Sequence, residues 1–164
     1  KDVIAKIKGY ARTILTGERI ALNFLQQLSG ISSETNRFVK IATRYGMKIF
    51  DTRKTTPNLR YLQKYAVNCG GGYNHRFGLY EMILIKDNHL DELTTKEDKI
   101  TAIRTAISRS DDYRTKNFLP IEIEVDDLEQ AMAAAEELSK LEGPNVIMLD
   151  KRRRTKRGFF SFKR

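Results

Sequence analysis

Residues 120–150 read PIEIEVDDLEQAMAAAEELSKLEGPNVIMLD, and the fold turns on that stretch. Ile121, Ile123 and Val125 alternate with Glu122 and Glu124, the period of a half-buried strand. Asp127 can cap a helix from Leu128 to Leu141, and Gly143-Pro144 stops it. Val146 to Leu149 is a continuous apolar run, as expected of a parallel strand covered on both faces. A helix between two strands gives a crossover long enough to make the pair parallel.

The same alternation extends upstream. Thr95 with Asp98 resembles a capping box before Ile100, Ile103 and Ile107, and Met82 to Ile85 precedes it as a strand. Gly70-Gly71-Gly72 ends a helix that starts at Thr56-Pro57 and runs through Leu59, Leu62 and Ala66. Met47 to Phe50 forms the first strand. Two helices precede it, divided at Ser29-Gly30: one capped by Thr16, one capped by Ser32 or Ser33 and stopped at Gly46. The expected fold is α/β, a partial (β/α) barrel of about four parallel strands with crossover helices, over residues 1–150. Residues 151–164 form a basic tail outside that pattern, either a polybasic arm or the product of a shifted reading frame.

Composition narrows the function. The 164 residues carry a net charge of +9, but Lys151 to Arg164 contribute eight Lys or Arg and no acid. The remainder holds 22 basic and 21 acidic residues, so any polyanion reading rests on the tail. No run approaches the roughly 20 apolar residues of a membrane span. The single cysteine, Cys69, excludes an internal disulfide, fits a reducing cytoplasm, and reads as a small buried filler rather than a reactive thiol.

Each strand-like run ends in charge: Asp51-Thr52-Arg53-Lys54, Lys86-Asp87-Asn88-His89, Glu124, and Asp150. Parallel α/β folds do their chemistry at the carboxyl ends of strands. Arg53, Lys54 and Lys86 suit an anionic substrate, and His75 and Arg76 follow the glycines on a loop whose backbone can approach a ligand. Glu124 and Asp150 lie on successive strands, where two carboxylates can hold Mg²⁺ with a polyphosphate or simply balance Lys54 and Lys86. Glu122 shares a face with Glu124, and alternation does not choose between them. His89 suits a turn-fixing hydrogen bond or a base. The glycines are not a P-loop, since no Gly-Lys-Ser/Thr follows at the required spacing.

Several strings occur in order: Glu18-Arg19-Ile20-Ala21-Leu22-Asn23, Leu28-Ser29-Gly30-Ile31, Asp51-Thr52-Arg53-Lys54-Thr55, Lys64-Tyr65-Ala66-Val67, Gly70-Gly71-Gly72-Tyr73-Asn74-His75-Arg76 and Ile85-Lys86-Asp87-Asn88-His89. Together, from about Gly9 to Asp150, they resemble the quinolinate phosphoribosyltransferase family. The resemblance implies phosphoribosyl transfer from phosphoribosyl pyrophosphate to quinolinate with decarboxylation, yielding nicotinate mononucleotide, pyrophosphate and carbon dioxide for NAD biosynthesis. It assigns Arg19, Arg53, His75, Arg76 and Lys86 to the dicarboxylate, Lys54 with Lys86 to the phosphoribosyl substrate, and Glu124 and Asp150 to the ribose and Mg²⁺. It favours Glu124 over Glu122. It also implies a homodimer or higher homo-oligomer, with Arg19 reaching into the neighbouring subunit.

Departures from the family are equally visible. Asn58 follows Pro57 where the family usually has Gly, Ile20 stands for a usual Thr, and Lys151 follows Asp150 where the family continues with Asn. Most of an N-terminal α/β domain and the later glycine-rich phosphate segments are expected to be absent, so the chain reads as truncated at both ends and weakly active or inactive alone. The rival readings are a related transferase of molybdenum-transport loci acting on another pyridine or base, and a nucleic-acid binder driven by the tail.

Overall fold

A computed structural model describes residues 2–94, 98–117 and 119–150. The expected roles of Thr95 and of the basic tail 151–164 lie outside the described residues. The chain divides into two compact units, Lys1–Phe77 and Gly78–Arg164.

In the first unit, helix α1 (Ala11–Ala42) runs for 32 residues, about 48 Å at the usual rise. The expected break at Ser29-Gly30 does not occur. A glycine inside a helix costs only about 1 kcal/mol, too little to stop one this long. Thr16 is not a cap but an interior residue whose hydroxyl donates to the Arg12 carbonyl at 2.8 Å, and Ser32 and Ser33 also lie within the helix. A short turn of tighter helix (Thr43–Tyr45) ends at Gly46, whose φ of 68° makes it the expected stop.

The run Met47 to Phe50 is not a strand of the sheet. It makes an isolated parallel bridge, Phe50 to Tyr73, with Tyr73 N donating to the Ile49 carbonyl at 2.8 Å. Helix α2 (Arg60–Cys69) begins later than Thr56-Pro57 predicts, because Asn58 takes a positive φ of 63° and closes a turn first. Gln63 reaches back to that turn, accepting from Thr56 N at 3.0 Å and donating to its hydroxyl at 2.8 Å.

The glycines after α2 bring it against α1. A β-carbon on Gly70 would collide with the Ser32 carbonyl and lie 2.7 Å from Thr35 Cβ, and one on Gly72 would lie 2.9 Å from Thr35 Cγ2. Asn36 Nδ2 donates to the Gly70 carbonyl at 3.2 Å across the same junction. The close backbone approach expected toward a ligand is, at Gly70 and Gly72, an approach to α1.

In the second unit, strand β1 (Ile83–Ile85) leads into helix α3 (Asp87–Thr94), then helix α4 (Lys99–Asn117), strand β2 (Ile121–Val125), helix α5 (Leu128–Leu138) and strand β3 (Asn145–Leu149). The sheet is parallel throughout, in the order β1-β2-β3, with Ile83 opposite Ile121 and Glu124 opposite Met148. The described residues thus form a mixed α/β structure with three parallel strands, not the four expected. Ile121, Ile123 and Val125 are buried with Ile103 and Ile107 of α4, Ala134 and Leu138 of α5, and Leu90 of α3. Asp98 caps α4, accepting from Ile100 N at 2.9 Å and Thr101 N at 3.0 Å, and the Thr101 bonds hold its carboxyl below the ordinary value. Asp127 caps α5 as expected, accepting from Gln130 N at 2.9 Å, although the helix ends at Leu138. The expectation that both faces of the last strand are covered fails: Val146 and Leu149 are 42% and 48% exposed among the described residues.

Candidate active site

Two groups of charged residues stand out, one in each unit. In the first, Asp51 follows the Phe50 bridge and Lys64 lies in the middle of α2. Lys64 Nζ lies 2.5 Å from Asp51 Oδ1, and their side chains are only 2% and 8% exposed. Both also hold His75: Asp51 Oδ1 accepts from His75 N, and Lys64 Nζ donates to the His75 carbonyl, each at 2.8 Å. The Asn74 amide, with its nitrogen turned toward these acceptors, donates to Asp51 Oδ2 at 2.9 Å.

Arg60, in the first turn of α2, organises the neighbouring loop. It donates to Thr55 Oγ1 at 3.2 Å, to the Phe77 carbonyl at 3.1 Å and to the Arg53 carbonyl at 3.4 Å. Arg53 is half-buried, and its Nε is out of water with no acceptor among the described residues. Lys54 is exposed, His75 and Arg76 are half-buried, and Arg19 is exposed on α1.

In the second unit, parallel pairing brings together three of the expected residues. Lys86 directly follows β1, Glu124 is the penultimate residue of β2, and Asp150 directly follows β3, with Asp150 N donating to the Val125 carbonyl at 3.0 Å. Lys86 Nζ lies 3.9 Å from Glu124 Oε2. Burial pushes the Glu124 carboxyl above its ordinary value, and a hydrogen bond and charge from Asp150 push it further, with Lys86 opposing. Glu122 is buried on the same strand. His89 fixes a turn: its Nδ1 accepts from Lys86 N at 3.0 Å at the start of α3.

Among the described residues, no group of three or more His, Cys, Asp or Glu could hold a metal ion. Two carboxylates suffice for Mg²⁺ when substrate phosphates complete its shell, so the Glu124–Asp150 pair fits that donor set.

Lys64 and Arg60 were missing from the sequence expectations as site residues. A lysine is rarely fully buried, so composition pointed the other way. Cys69, expected to be buried, is exposed. No helix among the described residues is long and apolar enough to cross a membrane.

Comparison with known proteins adds a second line. Residues 31–157 match the family model described as "Quinolinate phosphoribosyl transferase, C-terminal domain", and residues 1–29 match its N-terminal counterpart. The chain is 43% identical over 149 residues to the probable nicotinate-nucleotide pyrophosphorylase [carboxylating] of Bacillus subtilis, covering 91% of this chain and 47% of that protein. It is 44% identical over 146 residues to the nicotinate-nucleotide pyrophosphorylase [carboxylating] of Mycobacterium leprae, covering 88% of this chain and 46% of that protein. Among solved structures, NadC from Streptococcus pyogenes superposes with a TM-score of 0.74 at 45% identity, covering 86% of this chain and 45% of that one. The chain spans about half the length of the curated relatives it matches.

Proposed function

The chain belongs to the quinolinate phosphoribosyl transferase family, and on that premise we propose that it carries residues for phosphoribosyl transfer to quinolinate with loss of carbon dioxide. In this reading the pyridine nitrogen of quinolinate attacks the anomeric carbon of phosphoribosyl pyrophosphate as the bond to pyrophosphate breaks. The 2-carboxylate then leaves as carbon dioxide, and the ring carbon takes a proton, giving nicotinate mononucleotide.

Arg53 carries the assignment in the first unit. A buried guanidinium N–H without an acceptor is costly, and a substrate carboxylate would satisfy it through a charge-assisted bond. His75, Arg76 and Arg19 serve the same dicarboxylate in this reading, Lys54 the phosphoribosyl group. In the second unit, Lys86 and the Glu124–Asp150 pair handle the sugar phosphate. Mg²⁺ would be held by that pair and would neutralise pyrophosphate charge. A cation entering there would oppose the burial and the Asp150 contact that raise the proton affinity of Glu124.

The sheet supports a further proposal, that β1-β2-β3 is part of a (β/α) barrel. Its strands follow one another in sequence order without the reversal of a doubly wound sheet. A homodimer is proposed from α1, which leaves Leu15, Ile20 and Leu25 exposed along with Arg19. A cytoplasmic setting suits the free thiol of Cys69.

Calorimetric titration of the chain with quinolinate and with nicotinate tests the assignment. Tighter binding of quinolinate is expected. Equal binding of both would overturn a pocket for two carboxylates.

A further inference from the structure

We propose that Lys64 is a positioning residue: paired with Asp51, it fixes the main chain of His75 and keeps the Asp51 carboxylate from competing with the substrate for the nearby cations. The proposal rests on the dicarboxylate reading above. The geometry comes from four atoms. Asp51 Oδ1 accepts from both Lys64 Nζ and His75 N, and Lys64 Nζ also donates to the His75 carbonyl. Residue 75 is therefore gripped at both of its main-chain polar atoms by one buried ion pair. Arg76 is the next residue, so its backbone is set by the same grip.

Stability alone does not account for the arrangement. Removing an ammonium and a carboxylate from water costs about what their attraction returns, and a packed apolar pair often holds a fold as well. An apolar pair could not bond to both the N–H and the carbonyl of His75. Charge supplies the second half of the argument. Asp51 stands two residues before Arg53, three before Lys54, and in contact with the His75 main chain. With Lys64 beside it, the carboxylate is neutralised in place. Without Lys64, it becomes an internal anion at high effective concentration next to groups meant for an external one.

The test compares Lys64→Met with the double variant D51N/K64M, in which the side-chain amide introduced at position 51 could still accept from His75 N while no charge is left unpaired. Quinolinate and nicotinate affinities are measured by calorimetry on the whole chain, with circular dichroism confirming folding. K64M should weaken quinolinate binding by about 10- to 100-fold, in line with a displacement of roughly 1 Å, and nicotinate binding by less. The double variant should recover most of that loss. Unchanged quinolinate binding in K64M, or a double variant as weak as the single, overturns the proposal. If K64M does not fold, the double variant decides: it should bind quinolinate within about threefold of the unsubstituted chain, and a loss of about 100-fold overturns the proposal. Amide exchange needs no variant: the His75 N–H should exchange at least about tenfold more slowly than a free peptide, and unprotected exchange overturns the grip. If the unsubstituted chain binds no quinolinate while His75 is protected, the dicarboxylate reading fails and the grip stands.

Discussion

Glu124 and Asp150 share a hydrogen bond although they belong to different strand ends and are separated by the whole of α5. Burial first, and then this contact, raise the proton affinity of Glu124 in the folded chain. A carboxyl so raised stabilises the fold fully at acid pH, below its unfolded value. That contribution is lost as pH rises through the folded value. Glu124→Gln should therefore raise the unfolding temperature by about 1–4 °C at pH 7–8 and by less at pH 4. Loss of the contact to Lys86 should not mask this, because at 3.9 Å with Lys86 43% exposed it is worth little. A lower unfolding temperature for the variant at pH 7, measured by calorimetric scan, would contradict the account.

Gly70→Ala should destabilise the first unit by about 1–3 kcal/mol, because the new methyl meets α1 backbone and the Thr35 side chain at the junction. Gly30→Ala is the control. Nothing lies within 4 Å of its added β-carbon, and the helix should gain up to about 1 kcal/mol. Urea midpoints at constant slope separate the two.

Arg60→Ala should weaken quinolinate binding about tenfold by freeing the loop that carries Arg53, a displacement effect rather than a lost substrate contact. Arg60→Lys should rescue little, since a point charge cannot serve the three acceptors that the guanidinium reaches. Full affinity in both variants, read by calorimetry, would exclude this role.

In the second unit, Ile107→Ala should cost about 2–5 kcal/mol, because the side chain is completely buried under the sheet. Asp127→Ala should cost about 1 kcal/mol through the lost cap on α5. Chemical denaturation that reversed this order would argue against the core as described.

What the sequence made legible follows the range of each signal. The segment from β2 to β3 was readable because its alternation and its cap at Asp127 are local, whereas α5 ends at Leu138, before the expected stop at Gly143-Pro144. The nearness of Glu124 and Asp150 followed from parallel pairing. Helix α1 was misread at Ser29-Gly30 because punctuation residues mark breaks only when a competing structure is available. Met47 to Phe50 has strand composition, but a strand needs a partner, and a single bridge to Tyr73 depends on residues far along the chain. Helix α3 was overlooked because Lys86-Asp87-Asn88-His89 looks like a loop until His89 is seen bonding back to Lys86 N. The expected roles of Arg19, Arg53, Lys54, His75 and Arg76 came from family resemblance; pattern alone could say only that cations cluster.

Cys69 has a practical consequence. It is the chain's single cysteine, it is exposed, and it immediately precedes Gly70 at the α1–α2 junction. One maleimide dye or nitroxide would therefore attach at a unique place without any prior mutagenesis. The adjacent Tyr65 phenol, whose ionisation is pushed up by its hydrogen bond with Cys69, would register the attachment in its own titration. The chain thus arrives with a built-in spectroscopic handle for watching whether those two helices separate.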